Sequence, residues 1–281
     1  MGAALRARLL GTMDLRLGEQ RLALPGSARA ESLFAYLLLH QDAPQPRQHL
    51  AFLLWPDSTE GQAHTNLRKV LLILRRTLPD ADRLIDIGPR TLHWRADVPV
   101  WLDVEQFEQA LAEGRLEEAA ELYAGELLEG RYDEWLTSER ERLAGLHLEA
   151  LERLARQHRQ NRRWPEAIRC AERLVASDPL REESHRLLMR LCQASGDRAR
   201  AVRAYHACAT ALECELGIEP SPGTRAVYGS LIAAPADDAL ANSAVTGDGR
   251  GTTPGTSPFT GRGGELARLT TVWRTASGGR A

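Results

Sequence analysis

Ala167-Ile168 in the segment PEAIRCAERL returns thirty-four residues later as Ala201-Val202 in RARAVRAYHA, and Leu154 returns at the same interval as Leu188. Thirty-four residues is the tetratricopeptide (TPR) period, in which paired helices stack on their neighbours. The matched alanines let adjacent helices approach closely. The turns agree with the interval, since Asn161-Arg162-Arg163-Trp164-Pro165 closes one helix pair and Gly196-Asp197 the next. From Val104 onward the pattern is amphipathic helix, entered through WLDVEQFEQALAEG. Residues 104–232 are therefore expected to form an all-α repeat domain.

The first hundred residues follow a different rhythm. Met13, Leu15 and Leu17 alternate, Gly18 to Gln20 is a turn, and Leu22 and Leu24 resume the period of two, which predicts a hairpin. RAESLFAYLLLH then takes helical spacing and stops at the proline-rich turn DAPQPR. A short helix, RQHLAFLLW, ends at Pro56, which cannot continue it. After the polar turn PDSTEGQ comes the helix HTNLRKVLLILRRTL, His64 to Leu78. Two short strands around Gly88-Pro89-Arg90 follow.

The helix from His64 has two faces. With Leu67 as reference, Val70, Leu71, Leu74 and Leu78 cluster within about 60° of it at 100° per residue, a complete buried stripe. The other side carries Thr65, Arg68, Lys69, Leu72 and Arg76, with Ile73 and Arg75 toward its flanks. No acid occurs from Gln62 to Leu78. Such a face suits a line of phosphates, whose condensed counterions it would release, and arginine can also bridge guanine O6 and N7. On the helix alone, an amphipathic core element and a DNA probe fit equally well. Its context is a short helix, a turn and then a basic helix, which is helix-turn-helix order, and Arg90 sits at the tip of a following hairpin placed like a wing. Taken alone, Arg90 reads as an exposed turn residue, and Arg47 as an exposed cap of the preceding helix.

The net charge of −2 conceals this patch. Between Gly61 and Arg95 seven basic residues face three acids, a local balance of +4. Hydrophobic content of 43% and charged content of 26% are those of an ordinary globular chain. Cys170, Cys192, Cys208 and Cys214 form no CxxC pair and lie in helical patterns, so buried thiols are expected rather than a disulfide framework. His206 and Cys208 match no standard zinc spacing. No apolar run reaches the length of a membrane span, Arg6 and Arg8 interrupt the start, and a cytoplasmic location with no membrane partner is expected. There is no G-x-S-x-G, no H-E-x-x-H and no dinucleotide loop after a strand. No enzyme activity, no cofactor and no metal site are expected. Trp55, Trp94, Trp101, Trp135 and Trp164 fall at element ends, as packing anchors do.

Residues 1–103, with LLWPD, NLRKVLLILRRTL and the wing in order, resemble the winged helix of OmpR/PhoB-type regulators. Residues 104–232 resemble the bacterial transcriptional activator domain of SARP and AfsR-like regulators, on VEQFEQAL, WLTSERERL, ALERLA, the repeat pair and ELGIEPSPGTRAVYGSL. The resemblance covers more than four-fifths of the chain. It implies binding to double-stranded promoter DNA at direct repeats, a homodimer on those repeats, and recruitment of RNA polymerase by an activator. By the same resemblance Thr65, Arg68, Lys69 and Arg76 face the major groove, Arg75 holds phosphate and Arg90 serves the wing. Relatives commonly carry polar or basic residues where this chain has Leu72 and Ile73. Those two either touch thymine methyls or pack on a neighbouring protomer or domain.

Residues 233–257 are rich in Gly, Ala, Pro, Ser and Thr and read as a flexible linker. The segment 258–281, with FTGRGGELARL, resembles the opening of the nucleotide-binding module of AAA/STAND-type regulators. No phosphate-binding G-x-x-x-x-G-K-[ST] follows, so only the start of a truncated nucleotide-binding module is expected. The expected fold class is mainly α with a small β component, a winged helix-turn-helix domain followed by an all-α TPR-like repeat domain. The expected function is a DNA-binding transcriptional regulator. The alternative is a TPR-based interaction module, the sensor arm of a STAND-type regulator, with weak or lost DNA binding.

Overall fold

The computed structural model describes residues 4–22, 27–78, 81–95 and 98–233. The linker and nucleotide-module segments expected at 233–257 and 258–281 lie outside them, apart from Ala233.

The chain opens in a sheet of β1 (Leu5–Arg8), β2 (Asp14–Leu17) and β3 (Gln20–Leu22), paired antiparallel with Leu5 opposite Leu17 and Leu15 opposite Leu22. Period two decides the faces, since Leu5 and Ala7 are buried and Arg6 and Arg8 exposed. α1 (Ala28–Leu39) is capped by Ser27, whose hydroxyl accepts from the Ala30 amide at 3.3 Å. Every residue from Ser32 to Leu38 is buried, so this helix is the axis of the core rather than a surface element. DAPQPR is more than a turn, because β4 (Gln45–Pro46) pairs with the wing before α2 (Arg47–Leu54) begins. α3 (Glu60–Thr77) starts one turn earlier than His64. Thr59 holds the cap position, and Glu60 suits the positive end of the helix dipole. A single turn, α4 (Ala81–Leu84), then leads into β5 (Ile85–Ile87) and β6 (Thr91–Trp94), the hairpin expected around Gly88. Trp94 is buried edge-on against Phe34, with ring centroids 5.6 Å apart.

The winged helix is built into the helical half rather than tethered to it. β7 (Val100–Leu102) adds parallel to β1, giving the order β3-β2-β1-β7. The next residue, Asp103, is buried, and its carboxylate accepts from the Leu9, Leu10 and Val104 amides at 2.9 Å each. Burial pushes the Asp103 pKa up, partly opposed by those three amides. Farther on, Leu128 donates its amide to the Leu9 carbonyl at 2.8 Å. Gly11 (φ +93°) lies against Gly125, where an added Cβ would come within 3.2 Å of the Gly11 Cα. Trp135 donates Nε1–H to the Ser32 hydroxyl at 3.0 Å and meets Tyr36 edge-on. One hydrophobic core runs from Leu5 to Leu143 across both regions.

The helical half contains α5 (Asp103–Ala112), α6 (Leu116–Leu122), α7 (Leu136–Gln160), α8 (Trp164–Ser177), α9 (Glu182–Ala194), α10 (Arg198–Leu216) and α11 (Pro222–Ala233). Three helix pairs turn in the same way, one more than the thirty-four-residue interval reveals. Gly114, Arg162 and Gly196 each adopt positive φ, at 74°, 55° and 84°. The next amide in each case, from Arg115, Arg163 and Asp197, bonds back to the carbonyls of Ala110, His158 and Cys192 at 2.8 to 2.9 Å. Five residues beyond each left-handed position stands a fully buried alanine, Ala119, Ala167 and Ala201. Cys170, Cys192 and Cys208 are buried free thiols as expected, whereas Cys214 is exposed on the outer face of α10. Among the described residues no helix is long and apolar enough to cross a membrane.

Candidate nucleic-acid interface

The two faces of α3 separate as helical periodicity requires. Ala63, Leu67, Val70, Leu71 and Leu74 are buried, joined by Leu78 just beyond the helix. Thr65, Arg68, Lys69, Leu72, Arg75 and Arg76 are exposed. Leu72 and Ile73, taken together in the sequence, part company here. Leu72 is 48% exposed, while Ile73 is half-buried against the core because it lies on the flank of the buried stripe. Only Leu72 is presented as an apolar group on the basic face.

Individual side chains differ in what they have left to offer. The Thr65 hydroxyl donates to the Gly61 carbonyl of its own helix at 2.8 Å, so its oxygen keeps only acceptor capacity. Arg75 donates Nε–H to Asp82 at 3.0 Å, tying the end of α3 to α4. A phosphate there would compete with that carboxylate. Arg95 likewise binds the Asp82 carbonyl at 2.9 Å and faces Asp86 at 3.8 Å. Among the described residues Arg68, Lys69, Arg76 and Arg90 have no acidic partner, and all four are exposed.

The wing is tied to the helix-turn-helix by a residue whose role the sequence does not reveal. Arg47, at the start of α2, is half-buried rather than an exposed cap. Its Nη1 donates to the Gly88 carbonyl at 3.1 Å, and its amide to the Arg90 carbonyl at 2.9 Å. β4 pairs with β6 just before it, Gln45 opposite Leu92. Gly88 itself is tightly placed, since a Cβ would come within 3.2 Å of the Thr91 carbonyl. Burial lowers the Arg47 pKa, and the positive charges of Arg68 and Arg75 lower it further. Three guanidiniums thus gather where α2, α3 and the wing meet. A polyanion would relieve the repulsion among them. The exposed helix face and the wing tip together form a surface with donors and positive charge but no opposing carboxylate on α3 beyond Glu60.

Residues 102–232 match the family described as the bacterial transcriptional activator domain. The regulatory protein AfsR of Streptomyces coelicolor is 30% identical over 295 aligned residues, which take in 98% of this chain and 29% of AfsR. The transcriptional regulatory protein MoaR1 of Mycobacterium bovis is 26% identical across 82% of this chain and 79% of MoaR1. The solved structure of Mycobacterium tuberculosis EmbR, in complex with a low-affinity phosphopeptide, superposes with a TM-score of 0.61 at 21% identity. It covers 82% of this chain and 65% of EmbR, and at that identity the likeness speaks for the fold.

Proposed function

From the premise that this chain belongs to the SARP family of transcriptional regulators, we propose that it binds promoter DNA through the exposed face of α3 and the wing. The observation that carries this reading is the unpaired basic face of Arg68, Lys69 and Arg76, set beside Arg47 and free of acid from Gln62 to Leu78. In this reading α3 enters the major groove, Arg68, Lys69 and Arg76 face base edges and phosphates, and Thr65 accepts a hydrogen bond. Leu72 meets a thymine methyl. Arg75 exchanges Asp82 for a phosphate, and Arg90 reaches the neighbouring groove from the wing tip. Arg47 holds that tip in place through the Gly88 carbonyl. Binding then depends steeply on salt, because each neutralised phosphate releases counterions.

The proposal extends to activation: the chain binds direct repeats as a homodimer and recruits RNA polymerase, with the helical half fixing the wing or meeting the polymerase. The shared core from Leu5 to Leu143 supports rigid coupling of the two halves. The rival reading, a protein-interaction module without DNA binding, draws on the exposure of Leu72. The start of a nucleotide-binding module at 258–281 is proposed from its sequence resemblance alone. Selecting bound fragments from a library of the source genome tests the main reading. Recovery of a common motif, arranged as direct repeats, is expected. Recovery of fragments with no shared sequence, under salt conditions that retain binding, would leave the interaction-module reading in its place.

A further inference from the structure

Between α7 and α9, over the C-terminal end of α8, lies a cleft of about 250 Å3 on different helices from the DNA-facing surface. Leu174 and Leu187 give it an apolar floor. Ser184 lines it too. This residue is 2% exposed, and its hydroxyl has no hydrogen-bond partner. A buried hydroxyl left without a partner is costly, and a ligand that bonds to it removes that cost.

The rim carries more positive charge than it can neutralise. Glu152 serves two guanidiniums at once, Arg156 at 2.9 Å and Arg181 at 2.7 Å. Arg186 engages Glu183, faces Glu182 at 4.0 Å and donates to the Thr224 hydroxyl at 3.0 Å. Arg190 is exposed and has no acidic partner among the described residues. Four arginines thus stand against three carboxylates, Glu152, Glu183 and Glu182, an excess of one charge carried by Arg190. An anionic ligand is indicated, and arginine's planar fork suits a carboxylate.

A phosphate dianion fits this mixture poorly, since it would also lie against Glu152 and Glu183. An extended peptide separates the demands. Its carboxylates can reach Arg190 and the Arg156–Arg181 pair, an apolar side chain can cover Leu174 and Leu187, and a backbone amide can donate to Ser184 Oγ. We propose that this cleft docks a short acidic, leucine-containing segment of a partner protein. Stacked helical repeats commonly present such surfaces.

The test uses the full chain and a fluorescent acetyl-Asp-Leu-Asp-Leu-Asp-amide peptide, followed by anisotropy. Saturable binding that weakens with salt is expected, with no binding of the matching lysine–leucine peptide. Arg190→Glu should weaken binding at least about tenfold, and Arg190→Gln by less, while DNA binding and thermal unfolding stay unchanged. Ser184→Ala should weaken the peptide a few-fold. Equal affinity in the wild type and both Arg190 variants would overturn the assignment, as would no saturation at millimolar peptide. Displacement by millimolar inorganic phosphate would also overturn it, reducing the cleft to a site for simple oxyanions.

Discussion

The Arg47 guanidinium donates to the Gly88 carbonyl at 3.1 Å, joining the first helix of the helix-turn-helix to the turn that carries the wing. That bond spans 41 residues and sits beside Arg68 and Arg75. Replacing Arg47 with methionine removes the bond and the charge but keeps the apolar stem. Promoter affinity should fall about tenfold, the scale of one charge-assisted hydrogen bond. Arg47→Lys restores charge without the fork and should recover only part of the loss. Gel-shift titrations of the three proteins settle the matter, and identical affinities would remove Arg47 from the interface.

Leu72 is a distinctive feature of the proposed reading face. Because it is about half exposed, Leu72→Ser should change folding stability by less than about 1 kcal/mol. If the side chain covers a thymine methyl, replacing thymine with deoxyuridine in the operator should weaken wild-type binding. The serine variant should be insensitive to that replacement. A change in sedimentation behaviour with no change in base preference would identify Leu72 instead as a contact between proteins.

His147 makes folding sensitive to acid. Burial, followed by the nearby Arg173 charge, pulls its pKa down to about 4, and its ring stacks on Tyr123 with centroids 4.2 Å apart. The folded state therefore holds the ring neutral while the unfolded chain takes up a proton below its ordinary value of 6.5. In that interval the unfolded chain binds more protons, so stability rises with pH and is lost as pH falls from 6.5 toward 4. The contribution amounts to roughly 3 kcal/mol at most. Urea unfolding at a series of pH values should show it, and His147→Phe should flatten the slope. An unchanged slope in that variant would assign the acid sensitivity elsewhere.

The repeated helix turn provides a paired stability test. Arg162 and Gly196 hold equivalent left-handed positions, but only glycine does so without strain. Arg162→Gly should stabilise the protein and Gly196→Ala destabilise it, each by about 1 kcal/mol. Thermal unfolding of the two variants should shift in opposite directions. Shifts of the same sign would show that the turns are not equivalent.

These turns also mark where the sequence becomes opaque. The interval from Arg162 to Gly196 is legible because both pairs keep thirty-four residues and an alanine at the same offset. The first pair is hidden because forty-eight residues separate Gly114 from Arg162, the excess including the segment that packs on α1. Both faces of α3 are legible, since a helix carries its own period wherever it packs. The partners of its side chains are not, which is why Arg75 reads as free until Asp82 is seen beside it. Arg47 and β4 depend on contacts with the wing, and β7 on pairing with a strand over ninety residues earlier. Nothing local announces such pairings, and a two-residue strand ending in proline reads as a turn.

The salt dependence of promoter binding by Arg76→Ala tests the central claim most directly. Arg76 is exposed and has no acidic partner among the described residues, so its loss should leave thermal unfolding nearly unchanged. If the α3 face meets phosphate, the slope of log affinity against log salt should fall by about one and affinity should drop at every salt concentration. An affinity and slope matching the wild type across the salt range would contradict the placement of DNA on this face.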